Sequence, residues 1–159
     1  MGSEASANST LCNILSKENV LAKVSVKDWI EAIKVAGSLL LKKGCAEPRY
    51  IDAMINYCKQ YNAYIVIAPG IAMPHARPEN GAKNICISII TLEKPVKFGH
   101  PENDPVSIVI AFTAVDKKSH LGVLQELAEL LADGNTVKGI KNAKSNDELL
   151  SIIKNKVCY

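Results

Sequence analysis

Three runs of apolar, largely β-branched residues constrain this chain more than any other feature: AYIVIA at 63–68, ICISIITL at 85–92 and VSIVIAFTAV at 106–115. Each falls well short of the ~18 residues a transmembrane helix needs. Each is also too continuous to be a strand with one wet face, so each predicts a strand covered on both sides. NVLAKV at 19–24 reads as a further short strand. Between the second and third runs, EKPVKFGHPENDP is dense in turn formers and predicts a hairpin or long turn.

The intervening segments have helical periodicity. Ser25 is the expected cap of a helix running to Lys43, with Trp29, Ile33, Ala36 and Leu40 on its apolar face, and Gly44 ends it. Pro48 opens a second helix to about Gln60, apolar along Ile51, Met54, Ile55 and Cys58. A third follows the last strand, with Leu121, Leu124, Leu127, Ala128 and Leu131 expected inward and Gly134 closing it. Short helices near 136–142 and 146–156 complete the chain, the latter capped by Ser145. Helices precede, interrupt and follow doubly covered strands, which predicts a three-layer α/β/α sandwich with a mixed β-sheet. Residues 1–8, small and polar, read as a flexible leader to a single domain at 9–157. The first residues also fit the N-myristoylation pattern at Gly2, which a plain leader explains as well.

Composition removes several classes of function. The net charge is only +3 and aromatics are 5% of the chain, without a basic cluster interleaved with rings, so no nucleic-acid partner is expected. No signal peptide or membrane-inserting segment is expected. The five cysteines are odd in number and widely spaced, and no C-x-x-C occurs. They argue against a disulfide framework or a Cys-based zinc site and predict separate thiols in a reducing cytoplasm. Walker A and GxGxxG loops are absent, so no cofactor is expected.

The chemistry rests on three histidines. His75 sits in GIAMPHAR (70–77), at the end of a predicted strand, with Pro74 and Pro78 stiffening the loop and Gly70 permitting a turn. A neutral imidazole there could serve as base, metal ligand or nucleophile. Arg77, two residues on, offers a permanent cation with a donor fork suited to phosphate oxygens. His120 falls on the first turn of the third helix, where Asp116 or Ser119 is the expected cap and the unpaired N–H groups favour an anion. His100, amid turn formers in FGHPENDP, reads as part of a turn. No two histidines have metal-ligand spacing, so no metal site is expected, although a metal-dependent hydrolase remains a competing class.

Two motifs in order, G-I-A-x-P-H at 70–75 and S-H-L at a helix start some 45 residues later, carry a resemblance. The stretch from YIVIAPGIAMPHARP to SHLGVLQELAELL resembles the type 2 IIA (mannitol/fructose-like) domain of the bacterial phosphoenolpyruvate-dependent sugar phosphotransferase system, and the likeness runs from about Ser9 to Lys154. IAPGIAMPHARP and FGHPENDPV look most like its ascorbate-specific branch. The resemblance implies an α/β/α fold and a cytoplasmic phosphoryl relay. His75 would accept phosphate from the phosphocarrier HPr and pass it to a IIB component, Cys-type in this branch, with a membrane IIC component moving the sugar. It also implies that His120 helps hold the phosphoryl oxygens and that the tele nitrogen is the one modified. One departure stands out. The mannitol branch carries an Arg on the helix before the motif, whereas MINYCKQ here has only Lys59, which makes Arg77 the expected substitute. The same family includes nitrogen-related IIA proteins whose phosphorylation is a signal, and these are the alternative.

Overall fold

A computed structural model describes residues 9–159; the leader and the Gly2 pattern lie outside the described residues. Five strands form one mixed sheet in the order β1-β4-β5-β3-β2: β1 (Val20–Val24), β2 (Val66–Ala68), β3 (Ile71–Ala72), β4 (Cys86–Val96) and β5 (Val106–Thr113). β1 runs parallel to β4 and β3 parallel to β5, while the β4–β5 and β2–β3 pairs are antiparallel. Six helices are described: α1 (Thr10–Ile14), α2 (Trp29–Lys42), α3 (Pro48–Gln60), α4 (Lys117–Ala132), α5 (Gly134–Asn142) and α6 (Asn146–Cys158).

The central strands alternate between two cores. Ile90, Val109 and Ala111 face α2 and α3. Ile87, Ile89, Ile108, Ile110 and Phe112 face α1, α4, α5 and α6. The sandwich is therefore three layers deep, as the doubly covered runs of β4 and β5 require; the expectation fails for the 63–68 run, whose β2 lies at the sheet edge with Ile67 49% exposed. Its buried polar groups are paired: Ser88 donates to Ala36 O at 2.7 Å, and Asn19 donates to Ile87 O at 2.7 Å. Among the described residues, no helix is long and apolar enough to cross a membrane.

Several expectations need correction. The 63–68 run is a strand only from Val66, because Asn62 and Ala63 both take left-handed backbone (φ 54° and 60°) and turn the chain after α3. The two-residue strand β3 follows immediately. Pro69 and Gly70 (φ 76°) form the tight turn between the two, with proline setting the first φ and glycine supplying the positive second one. β4 runs on through Lys94 and Pro95 to Val96; Pro95 lies past the end of β1's pairing at Leu92 and within the register shift between Thr91 and Val96 on the β5 side, where a missing amide hydrogen is tolerated. The cap of α2 is Asp28, which accepts from Glu31 N at 2.9 Å, and not Ser25.

On α4 the buried residues are Val123, Leu127 and Leu130, flanked by Leu124 and Leu131, while Ala128 is exposed and Leu121 is 57% exposed. That helix ends at Ala132, and Gly134 already begins α5. The thiol expectation fails for two of the five cysteines. α1 and α6 lie together, which brings Cys12 and Cys158, 146 residues apart, to a Cα separation of 5.2 Å as a disulfide; Cys45, Cys58 and Cys86 are free and buried.

Candidate functional site

The site lies where β3 ends and the chain continues without a strand partner. Gly70 N–H donates to Asn103 O, and Gly70 O accepts from Ser107 and Ile108, so the hairpin turn is anchored to the start of β5. Met73 N–H donates to Ile65 O at 2.8 Å. Pro74 then carries the chain past the end of β3, and His75 lands on Phe112 with ring centroids 4.9 Å apart and planes 24° apart. His75 Nδ1 lies 2.8 Å from Met73 O. A carbonyl only accepts, so Nδ1 carries the hydrogen and Nε2 keeps its lone pair. Burial pushes the His75 pKa below the ordinary imidazole value; His120 adds to that push and the Met73 carbonyl opposes it.

His120 arrives from the other side of the motif. Asp116 caps α4, accepting from Ser119 N–H at 2.8 Å, while Ser119 Oγ accepts from Asp116 N–H at 3.2 Å. His120 is the fourth residue of α4 and shares a helical stripe with Val123, Leu127 and Leu130, so the burial of that stripe aims the imidazole at the sheet. Its ring centroid is 5.3 Å from both His75 and Phe112. The two histidines, 45 residues apart in sequence, thus share one aromatic floor.

Around them lies a depression of about 490 Å³ lined by Tyr57, Tyr61, Tyr64, His75, Ala76, Arg77 and His120. Arg77 is exposed and also lines an adjoining hollow with Glu79, Asp116, Lys117 and His120. All three predicted site residues, His75, His120 and Arg77, therefore border one space. Lys59 does not line it. Tyr57, on the MINYCKQ helix, does, and donates to Asn80 Oδ1 at 3.0 Å. The tyrosine wall was not anticipated from sequence, although its signal was present: Tyr57, Tyr61 and Tyr64 are spaced 4 and 3 apart, and they are three of only five tyrosines in the chain. They continue the ring-to-ring contacts, Tyr61 edge-on to Tyr64 and Tyr64 edge-on to His75.

His100 lies in the β4–β5 turn, where Nδ1 accepts from Glu102 and Asn103 amides, as its neighbours suggested. Ile71, Met73 and Phe98, near the two motif loops, are buried core. Among the described residues, no group of three or more His, Cys, Asp or Glu could hold a metal ion.

The arrangement offers an imidazole of fixed tautomer, with Nε2 free, in an open depression that Arg77 also lines. The comparisons with known proteins point the same way. The family model of the phosphoenolpyruvate-dependent sugar phosphotransferase system, EIIA 2, matches residues 13–156. The ascorbate-specific PTS system EIIA component of Escherichia coli (strain K12) is 36% identical over 143 residues, covering 89% of this chain and 92% of that protein. The solution structure of the mannitol-specific cryptic phosphotransferase enzyme IIA CmtB from Escherichia coli superposes with a TM-score of 0.81 at 34% identity, covering 95% of this chain and 99% of that one. The IIA of mannitol in complex with phosphorylated IIB, also from Escherichia coli, gives 0.78 at 26% identity, over 89% and 97% of the two chains. A nitrogen regulatory protein IIA-Ntr from Neisseria meningitidis, at 21% identity and a TM-score of 0.72 over 90% and 98%, shares the fold. The chain belongs to the EIIA 2 family of the phosphoenolpyruvate-dependent sugar phosphotransferase system, and is a phosphoryl-carrying IIA component.

Proposed function

We propose that this protein takes a phosphoryl group from HPr onto Nε2 of His75 and hands it to a Cys-type IIB component in an ascorbate-type uptake system. The observation that carries this reading is the 2.8 Å contact between His75 Nδ1 and Met73 O, which fixes the tautomer and leaves Nε2 as the free nucleophile of the depression. In the accepting step the Nε2 lone pair forms the new N–P bond. The bond from phosphorus to the donor breaks, and its electron pair returns to the donor. In the forward step a IIB thiolate attacks phosphorus and the pair returns to Nε2. Such transfers ask for positioning and charge stabilisation more than for covalent work by the protein. His120 and the Arg77 guanidinium supply donors for the phosphoryl oxygens at the rim.

The ascorbate branch rests on the 36% identity to the Escherichia coli component, and the IIB partner on the mannitol IIA–IIB complex of the same fold. A IIA component that serves soluble HPr and the cytoplasmic side of a transporter belongs in the cytoplasm. The signalling alternative has only the shared fold of IIA-Ntr at 21% identity behind it.

The test is an intact-mass assay with phosphoenolpyruvate, enzyme I and HPr. The parent gains one acid-labile phosphoryl group and His75→Ala gains none. An unchanged mass for the parent beside a competent HPr, or an equal gain in His75→Ala, overturns the assignment.

A further inference from the structure

We infer that Tyr50, which does not border the depression, is a positioning residue for the phosphoryl acceptor, tying the peptide after His75 to the peptide of the ring beneath it. The inference rests on the reading of His75 as acceptor. Tyr50 lies on the first turn of α3 and is 1% exposed. Its hydroxyl accepts from Ala76 N–H at 3.0 Å and donates to Phe112 O at 2.7 Å. Ala76 O lies 3.3 Å away on the same hydroxyl. The single hydroxyl proton goes to the nearer Phe112 carbonyl.

The topology explains why a side chain is needed at this point. β3 pairs with β5 only through Ile71↔Ile108 and Ala72↔Val109. Continued in that register, His75 would stand level with Phe112, but Pro74 has no amide hydrogen and the parallel ladder stops. Ala76 N–H and Phe112 O are then buried beyond the last ladder bond. Tyr50 spans them with one oxygen that both donates and accepts, replacing the ladder without a strand. Besides this tether, His75 is held by its Nδ1–H to Met73 O and by ring contacts with Phe112, His120 and Tyr64, and none of these fixes the peptide that follows it. Removing the hydroxyl would leave two buried backbone groups unpaired and free the segment that carries the ring. The burial that keeps Tyr50 neutral, with its pKa raised to about 12, also keeps that proton in place across the working pH range.

Tyr50→Phe removes one oxygen and retains the ring. The expected result is a folded protein, judged by circular dichroism, whose maximal rate of phosphoryl acceptance from phospho-HPr falls roughly 10- to 100-fold. The HPr concentration giving half-maximal rate should not change, because Tyr50 is buried and offers a partner no surface. The His75 ring protons should also lose the ring-current shift imposed by Phe112. A parental maximal rate with unaltered His75 shifts overturns the inference, as does a slower rate that equals the parent's once corrected for the folded fraction. Amide exchange on the unmodified protein adds a test that needs no variant. Ala76 N–H should be protected like the β4–β5 core amides, and exchange at the rate of an exposed loop overturns the tether. Should the parent carry its phosphoryl group elsewhere than His75, the reading beneath fails. Should the parent label on His75 and Tyr50→Phe match it, Tyr50 alone is removed from the mechanism.

Discussion

His75 is held so that one nitrogen is spent on the backbone and the other is left for chemistry, and this has a consequence for pH. Burial, with His120 adding to it, lowers the pKa of the native ring below the ordinary 6.5. Phosphoryl acceptance should therefore stay level as pH falls through 6.5 and decline only below it, as measured by initial rates with phospho-HPr. Stability carries the linked effect. The unfolded chain takes up a proton near 6.5 while the native ring resists it, so His75 makes stability fall as pH drops from 6.5 to the lower native value, and not above 6.5. At the rim, Arg77→Ala should slow transfer roughly 10- to 100-fold, in keeping with the loss of one charge-stabilising donor. An unchanged single-turnover rate would remove Arg77 from the mechanism. The sequence singled out His75 and Arg77 by the stiff Gly- and Pro-bounded loop that carries them, and the fold brings both to one depression. The three tyrosines were not singled out, since a ring at helical spacing reads first as core, and only the left-handed turn at Asn62 and Ala63 sets Tyr64 against His75.

The helices place the second imidazole and the lid of the first core. The end points of α3 and α6 were close to expectation because Pro48 and Ser145 are unambiguous starts, and Ser145 does accept from Glu148 N–H at 3.1 Å. The start of α2 was misjudged because Ser25 and Asp28 are both good caps, and sequence cannot tell which side chain meets a free amide. Their substitution separates them: Asp28→Ala should cost about 1 kcal/mol in a denaturant titration. Ser25→Ala should stay within about 0.5 kcal/mol. On α4 two stripes overlap, one through Leu121, Leu124, Leu127, Ala128 and Leu131 and the other through Val123, Leu127 and Leu130. The stripe that begins at His120 is the buried one, because it is the one that lies over Phe112 and the rest of the second core. Leu121, left outside, is one of the few large apolar residues exposed to solvent.

Across the molecule, two apolar cores on either face of one sheet close the sandwich, and the Cys12–Cys158 bond joins its first and last described helices. Denaturing alkylation should label three thiols before reduction and five after it. Reduction should lower the melting temperature, since opening a loop of this length returns up to about 5 kcal/mol of chain entropy to the unfolded state. The reduced protein should remain folded, because both cores are built without that bond; a reduced chain lacking cooperative melting would contradict this. The sequence by itself determined the layered α/β class, a turn at the Pro-rich segment between β4 and β5, and the two motifs, G-I-A-x-P-H and S-H-L, that carry the family. These follow from local pattern: side-chain periodicity, turn chemistry and two short motifs in order. Tertiary structure alone decided the strand order, the pairing of Cys12 with Cys158, the shared floor of His75 and His120, and the reach of Tyr50 to two backbone groups. Each of those is a meeting of residues far apart in the chain, made by packing two helical layers on one sheet, and no local pattern encodes where such a packing brings them.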